Sequence, residues 1–158
     1  MKLSAQEEYG LRCLLQMARH DERASLTIGE ISRLEGISSP NAAKIMRGLR
    51  RRGFVKSMRG QAGGYALARP ADEINVSEVL GALGGRLFDA GFCDRHSGVE
   101  SLCTHLSDCS IRPVLRVIQG VMDQVLGALT LKSLLCSERE VFVVNPRAVA
   151  LPLLPRVN

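Results

Sequence analysis

Apolar residues recur at helical spacing along much of the chain, and polar or glycine-rich breaks separate the stretches. Tyr9, Leu11, Leu14, Leu15 and Met17 mark a first helix that runs to about His20. Ser4 and Glu7 open it with an S-x-x-E capping box, in which each side chain satisfies a free amide of the other. Thr27 and Glu30 repeat that signature, and Ile28, Ile31 and Leu34 give a short second stripe that Gly36 ends. Ser38 or Ser39 can cap a third helix, with Pro40 suited to its first helical position. Ala42, Ile45, Met46 and Leu49 form its apolar stripe, while Lys44, Arg47, Arg50 and Arg51 occupy the other faces. Gly53 stops this helix. Phe54–Val55 and Tyr65–Leu67 read as two short strands around the glycine-rich turn Arg59-Gly60-Gln61-Ala62-Gly63-Gly64.

Helix, tight turn, basic helix and basic-tipped hairpin outline a winged helix-turn-helix. The third helix can enter a major groove while the hairpin reaches phosphates or a minor groove. Ser38, Ser39 and Asn41 lie near the start of that helix. Lys44, Arg47 and Arg50 follow on it, and Arg59, Gly60 and Gln61 form the wing tip. These are the candidate DNA-binding residues.

The pattern changes after the wing. Ile74 and Val76 alternate briefly, and Ser77 can cap a short helix through Val79, Leu80 and Leu83. Residues 84–110 show little periodicity. Pro113 then starts a long helix to about Leu129, whose apolar positions run from Val114 through Val121 to Leu126. That face is broader than one small domain covers, which predicts self-association; the alternative is packing on the chain's own first helix. Thr130 can cap a short last helix, Leu131 to Cys136. The expected fold is therefore mostly α. Its expected divisions are a winged helix-turn-helix domain (1–83), a cysteine-rich loop (84–110), dimerisation helices (111–137) and an apolar tail (138–158).

Charge sharpens this division. Residues 1–70 carry 13 Lys+Arg against 6 Asp+Glu, and residues 71–158 carry 8 against 10. The basic half predicts polyanion binding. Aromatic residues make up 4% of the chain and Trp is absent, which argues against stacking on single-stranded bases as the main mode. No apolar run is long enough to span a membrane and the N-terminus lacks a signal-peptide pattern, so the expected location is the cytoplasm.

In that compartment five cysteines read as thiols or metal ligands rather than structural disulfides. Cys13 and Cys136 sit in apolar stripes and read as packing. Cys93, Cys103 and Cys109 follow the pattern C-x9-C-x5-C within the aperiodic stretch. Clustered thiolates predict a metal or an iron–sulfur cluster, [2Fe–2S] or [4Fe–4S], with a fourth ligand from elsewhere. There is no C-x-x-C and no phosphate-binding loop, which leaves a small redox enzyme behind a DNA-binding regulator. A zinc-bound or free-thiol redox regulator is the nearer alternative.

Together these pieces resemble the Rrf-two family of bacterial winged helix-turn-helix regulators, whose members include IscR-like, NsrR-like and RirA-like iron–sulfur sensors. The likeness spans residues 1 to about 137. It is carried by Met1-Lys2-Leu3-Ser4, Gly36-Ile37-Ser38, Gly53-Phe54-Val55 and the wing Arg59-Gly60-Gln61-Ala62-Gly63-Gly64-Tyr65-Ala66-Leu67-Ala68-Arg69. The resemblance implies a homodimeric transcriptional repressor on a palindromic operator of double-stranded DNA, with a cluster whose state sets DNA affinity. Three features depart from the IscR-like pattern. The first cysteine gap is nine residues rather than five. Arg112 stands where a histidine ligand would, and Asn41-Ala42-Ala43 replaces Tyr-Leu-Glu. Other members recruit an acidic residue of the partner's first helix. That makes Glu8 the candidate fourth ligand, against a plain role at the helix N-terminus, with His96, His105 and Glu35 as competitors.

Overall fold

The computed structural model describes residues 4–20, 25–60, 63–86, 88–95, 103, 105 and 107–137. Helix α1 (Ala5–Arg19) begins at Ser4, and the reciprocal capping box with Glu7 is formed. Helix α2 (Ile28–Glu35) begins at Thr27 with the second box, closed by Glu30. The Thr27 amide and hydroxyl hold the Glu30 carboxyl below its usual range. Gly36 takes a left-handed conformation (φ 64°) and turns the chain into α3 (Ser39–Arg51). Ser38 is the residue before α3, but its side chain makes no capping bond. Ser39 does not cap either; its hydroxyl donates to the Ser32 hydroxyl (3.3 Å) and ties α3 back to α2.

Strands β1 (Val55–Met58) and β2 (Gly64–Leu67) pair antiparallel, Val55 opposite Leu67 and Met58 opposite Gly64. Leu26 bridges to Tyr65 on the far side of β2. A side chain at Gly64 would strike the Leu26 backbone, so a bare backbone is needed there.

Helix α4 (Val76–Gly84) is capped by Asn75, not by Ser77. The Asn75 carbonyl accepts the Ser77 amide (2.8 Å), and its amide donates to the Gly127 carbonyl (2.7 Å). One side chain thus caps α4 and ties it to the end of the long helix that follows, Ile111–Gly127. Residues 84–110 include a short helical turn, α5 (Phe92–Arg95), so Cys93 stands on helical backbone rather than in open loop.

The long helix α6 spans Ile111–Gly127. It begins before Pro113 because a first-turn residue has no intrahelical N–H partner to lose. The last element is a 3-10 turn, Lys132–Leu135, shorter than the helix expected from its apolar residues. Thr130 and Ser133 exchange side-chain-to-backbone bonds around it.

The core gathers α1 to α4 and the hairpin: Cys13, Leu14, Ile31, Met46, Leu49, Phe54, Ile74 and Val79 are all buried. Leu131 joins them, fully buried, as the last turn packs on α1. Each such aliphatic side chain contributes about 1.5–3 kcal/mol on burial. Helix α6 differs. It packs on α4, and Gln119 is its one buried residue. Ile111 is 65% exposed and Val114 55%, with Ile118 and Val125 also exposed.

Candidate functional site

Two regions carry the candidate chemistry. The first is the outer face of α3 with the wing. The apolar stripe Ala42, Ile45, Met46 and Leu49 is buried, which rotates the polar residues outward. Ser38, Ser39, Asn41, Lys44, Arg47 and Arg50 are all exposed. Arg59 and Gly60 are exposed on the wing, and Gly60 has φ 110°, a conformation that turns the tip and suits glycine. Gln61 lies outside the described residues. Among the described residues Lys44, Arg47, Arg50 and Arg59 pair with no acidic side chain. These four exposed cations on α3 and the wing, without acidic partners, are available to phosphates.

The second region is the cysteine segment. Cys93, Cys103 and Cys109 are free, half-buried thiols. Cys93 on α5 borders an open cavity of about 800 Å³ that it shares with Arg86, Arg112, Arg116 and Gln119. Gln119 fixes the cavity wall: it accepts the Phe88 amide (3.1 Å) and donates to Asp123 (2.8 Å), which also pairs with Arg86. Cys109 lies just before α6. Among the described residues no three Cys, His, Asp or Glu side chains stand together as a metal-binding group. The donor set itself fits iron–sulfur chemistry: three accessible thiols without internal partners.

The other two cysteines are otherwise occupied. Cys13 is fully buried, and desolvation, with the nearby Glu35 charge, pushes its thiol up to about 12. Cys136 donates to the Ser133 carbonyl (2.9 Å).

Glu8 is exposed on the first turn of α1 and pairs with Arg12 (3.4 Å). Arg12 also donates to Glu35 (2.6 Å), whose side chain is 2% exposed. The Arg12 charge is strengthened by that hydrogen bond, which raises its already high pKa. Glu35, a competitor for the ligand role, is thus engaged within the head. His105 is exposed, and His96 lies outside the described residues. Arg12 was not among the sequence-derived site residues, although its i,i+4 spacing from Glu8 is a legible signal.

Comparison with known proteins agrees with this architecture. Residues 3–137 match the family model described as Rrf2, iron-dependent transcriptional regulator. The protein rrf2 of Nitratidesulfovibrio vulgaris is 32% identical over 135 residues, covering 85% of this chain and 87% of that one. The solved IscR of T. potens superimposes with a TM-score of 0.68 at 27% identity, covering 85% of this chain and 86% of that chain. The global cysteine regulator CymR of B. subtilis shares the fold, with a TM-score of 0.68 at 24% identity over 85% of this chain and 96% of that one. Among the described residues no helix is long and apolar enough to cross a membrane.

Proposed function

Because the chain belongs to the Rrf2 family of helix-turn-helix transcriptional regulators, we propose that it is a dimeric repressor whose operator affinity is set by an iron–sulfur cluster. The observation that carries this reading is the division of the cysteines. Cys13 and Cys136 are used by the fold, whereas Cys93, Cys103 and Cys109 are half-buried, free and close in sequence to the start of α6.

On DNA, Ser39 and Asn41 approach base edges at the start of α3, with Ser38 beside them. Lys44, Arg47 and Arg50 hold phosphates or base edges, and Arg59 enters the minor groove. Gly60 and Gln61 bring the wing backbone close to the sugar-phosphate chain. A palindrome needs two recognition helices about 34–36 Å apart, so two copies of the chain are required. The exposed Ile111, Val114, Ile118 and Val125 face of α6 supplies the surface on which they pair.

Cys93, Cys103 and Cys109 would hold the cluster as thiolates, with Glu8 of the partner subunit as fourth ligand. When bound, the cluster supplies iron whose charge and integrity respond to oxidant, nitric oxide or iron supply. A carboxylate is a harder ligand than thiolate, and a site containing one exchanges more readily. Arg112, in place of a histidine, cannot serve because its guanidinium has no free lone pair for a metal.

The test is anaerobic purification followed by visible absorption, iron and sulfide analysis, and operator binding before and after cluster removal. The expected protein is coloured and its DNA affinity changes on cluster loss. A colourless protein with stoichiometric zinc, or a metal-free one whose DNA binding responds to thiol oxidation, would replace this reading with a thiol-based sensor.

A further inference from the structure

A cavity of about 830 Å³ lies between α4 and α6. Its walls include the half-buried Leu80, Met122 and Leu126 and the bare backbone of Gly81. A side chain built at Gly81 would meet nothing within 4 Å, so α4 faces open space there. The rim is acidic, with Glu7, Glu78 and Asp123 against Arg86. Glu7 reaches it because Gly84 has no side chain; a Cβ there would strike the Glu7 carboxylate. Arg86 pairs with Asp123, and Arg69 pairs with Glu78 (2.6 Å). Among the described residues Glu7 pairs with no basic side chain. An apolar space with surplus negative charge at its mouth suits an apolar segment that carries a cation.

The chain carries such a segment. Residues 138–158 lie outside the described residues and beyond the stretch, 3–137, that matches the family model. From Val141 onward they hold Arg147 and Arg156 and no acidic side chain. The stretch Leu151-Pro152-Leu153-Leu154-Pro155-Arg156 combines three leucines with two prolines and a terminal cation. Pro152 and Pro155 have no N–H, so their burial leaves fewer amides to satisfy, and they favour an extended backbone. The other apolar run, residues 141–144, has an amide at every position. Reach is sufficient. Residues 138–150 span up to about 43 Å when extended, whereas α6 is about 26 Å long. We propose that residues 151–156 dock in the α4–α6 cavity of their own chain, with the leucines on Leu80, Met122 and Leu126 and Arg156 at the Glu7 rim. The docked tail touches both walls and braces the long helix against the head. Nothing in this assignment depends on the cluster.

Amide hydrogen exchange of the full-length chain tests this. The amides of Leu153, Leu154 and Arg156 are expected to exchange several-fold more slowly than in a free peptide of residues 141–158. Gly81→Leu fills the cavity from α4 without a clash and places a better helix former there. It should keep the head folded and return those amides to the free-peptide rate. Arg156→Glu should lose most of the protection and Arg156→Lys should keep it. Ile118→Glu, on the exposed face of α6, should leave it unchanged. Under mild thiol–disulfide oxidation, Gly81→Cys combined with Leu153→Cys should give a disulfide within one chain, located by peptide mapping. Free-peptide exchange rates in the parent, or protection that survives Gly81→Leu, would overturn the proposal. So would protection lost with Ile118→Glu, which would put the tail on the exposed face of α6, or a disulfide between positions 81 and 153 that joins two chains.

Discussion

The head and the C-terminal half of this chain solve the burial problem differently. In the head, α1 to α4 and the hairpin enclose Leu14, Ile31, Met46, Leu49 and Ile74, and the last turn returns Leu131 to the same core. The starts of α1, α2 and α4 are closed by two capping boxes and an asparagine. In α6 the buried residue is a glutamine, while isoleucine and valine face outward. Free energy in the head comes from its own side chains; in α6 much of the apolar surface is left for something else to cover. The contrast extends to chemistry. The head's cysteine is sealed, and the cysteines near α6 are accessible. A head that encloses its own apolar side chains thus stands beside a helix whose apolar face is largely exposed.

The comparison can be broken by substitution. Leu49→Ala removes a fully buried side chain and should destabilise the head by about 2–5 kcal/mol in denaturant unfolding. Ile118→Ala, on the exposed face of α6, should leave the unfolding of the separated chain within about 0.5 kcal/mol of the parent. Ile118→Glu should instead appear in assembly, converting the proposed dimer to monomer in sedimentation while the head stays folded. A head that loses its structure with Ile118→Glu would erase the distinction between the halves.

A wing substitution sharpens it from the other side. Arg59→Ala should weaken operator binding by about 1–3 kcal/mol if it contacts a base edge, and reduce the salt dependence, with no change in assembly. Equal affinity of variant and parent would remove the wing arginine from the mechanism.

The smallest effect concerns the thiols. Cys13 is held near 12 by burial against an ordinary 9.0, so the native state keeps its proton more tightly than the unfolded chain. Its contribution to stability is complete below pH 9.0 and is lost as pH rises from there toward 12. Alkylation at mildly alkaline pH should therefore label Cys93, Cys103 and Cys109 well before Cys13, read residue by residue by mass spectrometry. Early labelling of Cys13 would contradict a sealed head.

Much of the head is legible in the sequence because its signals are local. S-x-x-E at Ser4 and T-x-x-E at Thr27 each determine a helix start within one turn, and the stripe Ala42, Ile45, Met46, Leu49 orients α3. The glycine-rich wing is equally local. What the sequence conceals is long-range. Asn75 outcompetes Ser77 as cap because it also reaches Gly127. Glu35 reads as an ordinary polar end of α2 until Arg12, from another helix, meets it. Likewise the apolar pattern of α6 is plain in the sequence, but only the fold shows that the described residues leave Ile111 and Val114 exposed. For the cysteines, spacing marks the candidate donors, and among the described residues no three of the candidate ligands stand together.

The most direct test of the account is native mass spectrometry of the anaerobically purified protein. The account predicts a species of twice the 17.2 kDa chain mass plus the mass of bound iron and sulfide. It also predicts that Cys93→Ala, Cys103→Ala and Cys109→Ala each lose that added mass while remaining dimeric. A monomer, or a dimer carrying no iron and sulfide, would contradict the claim that the C-terminal half is completed by a second chain and a cluster.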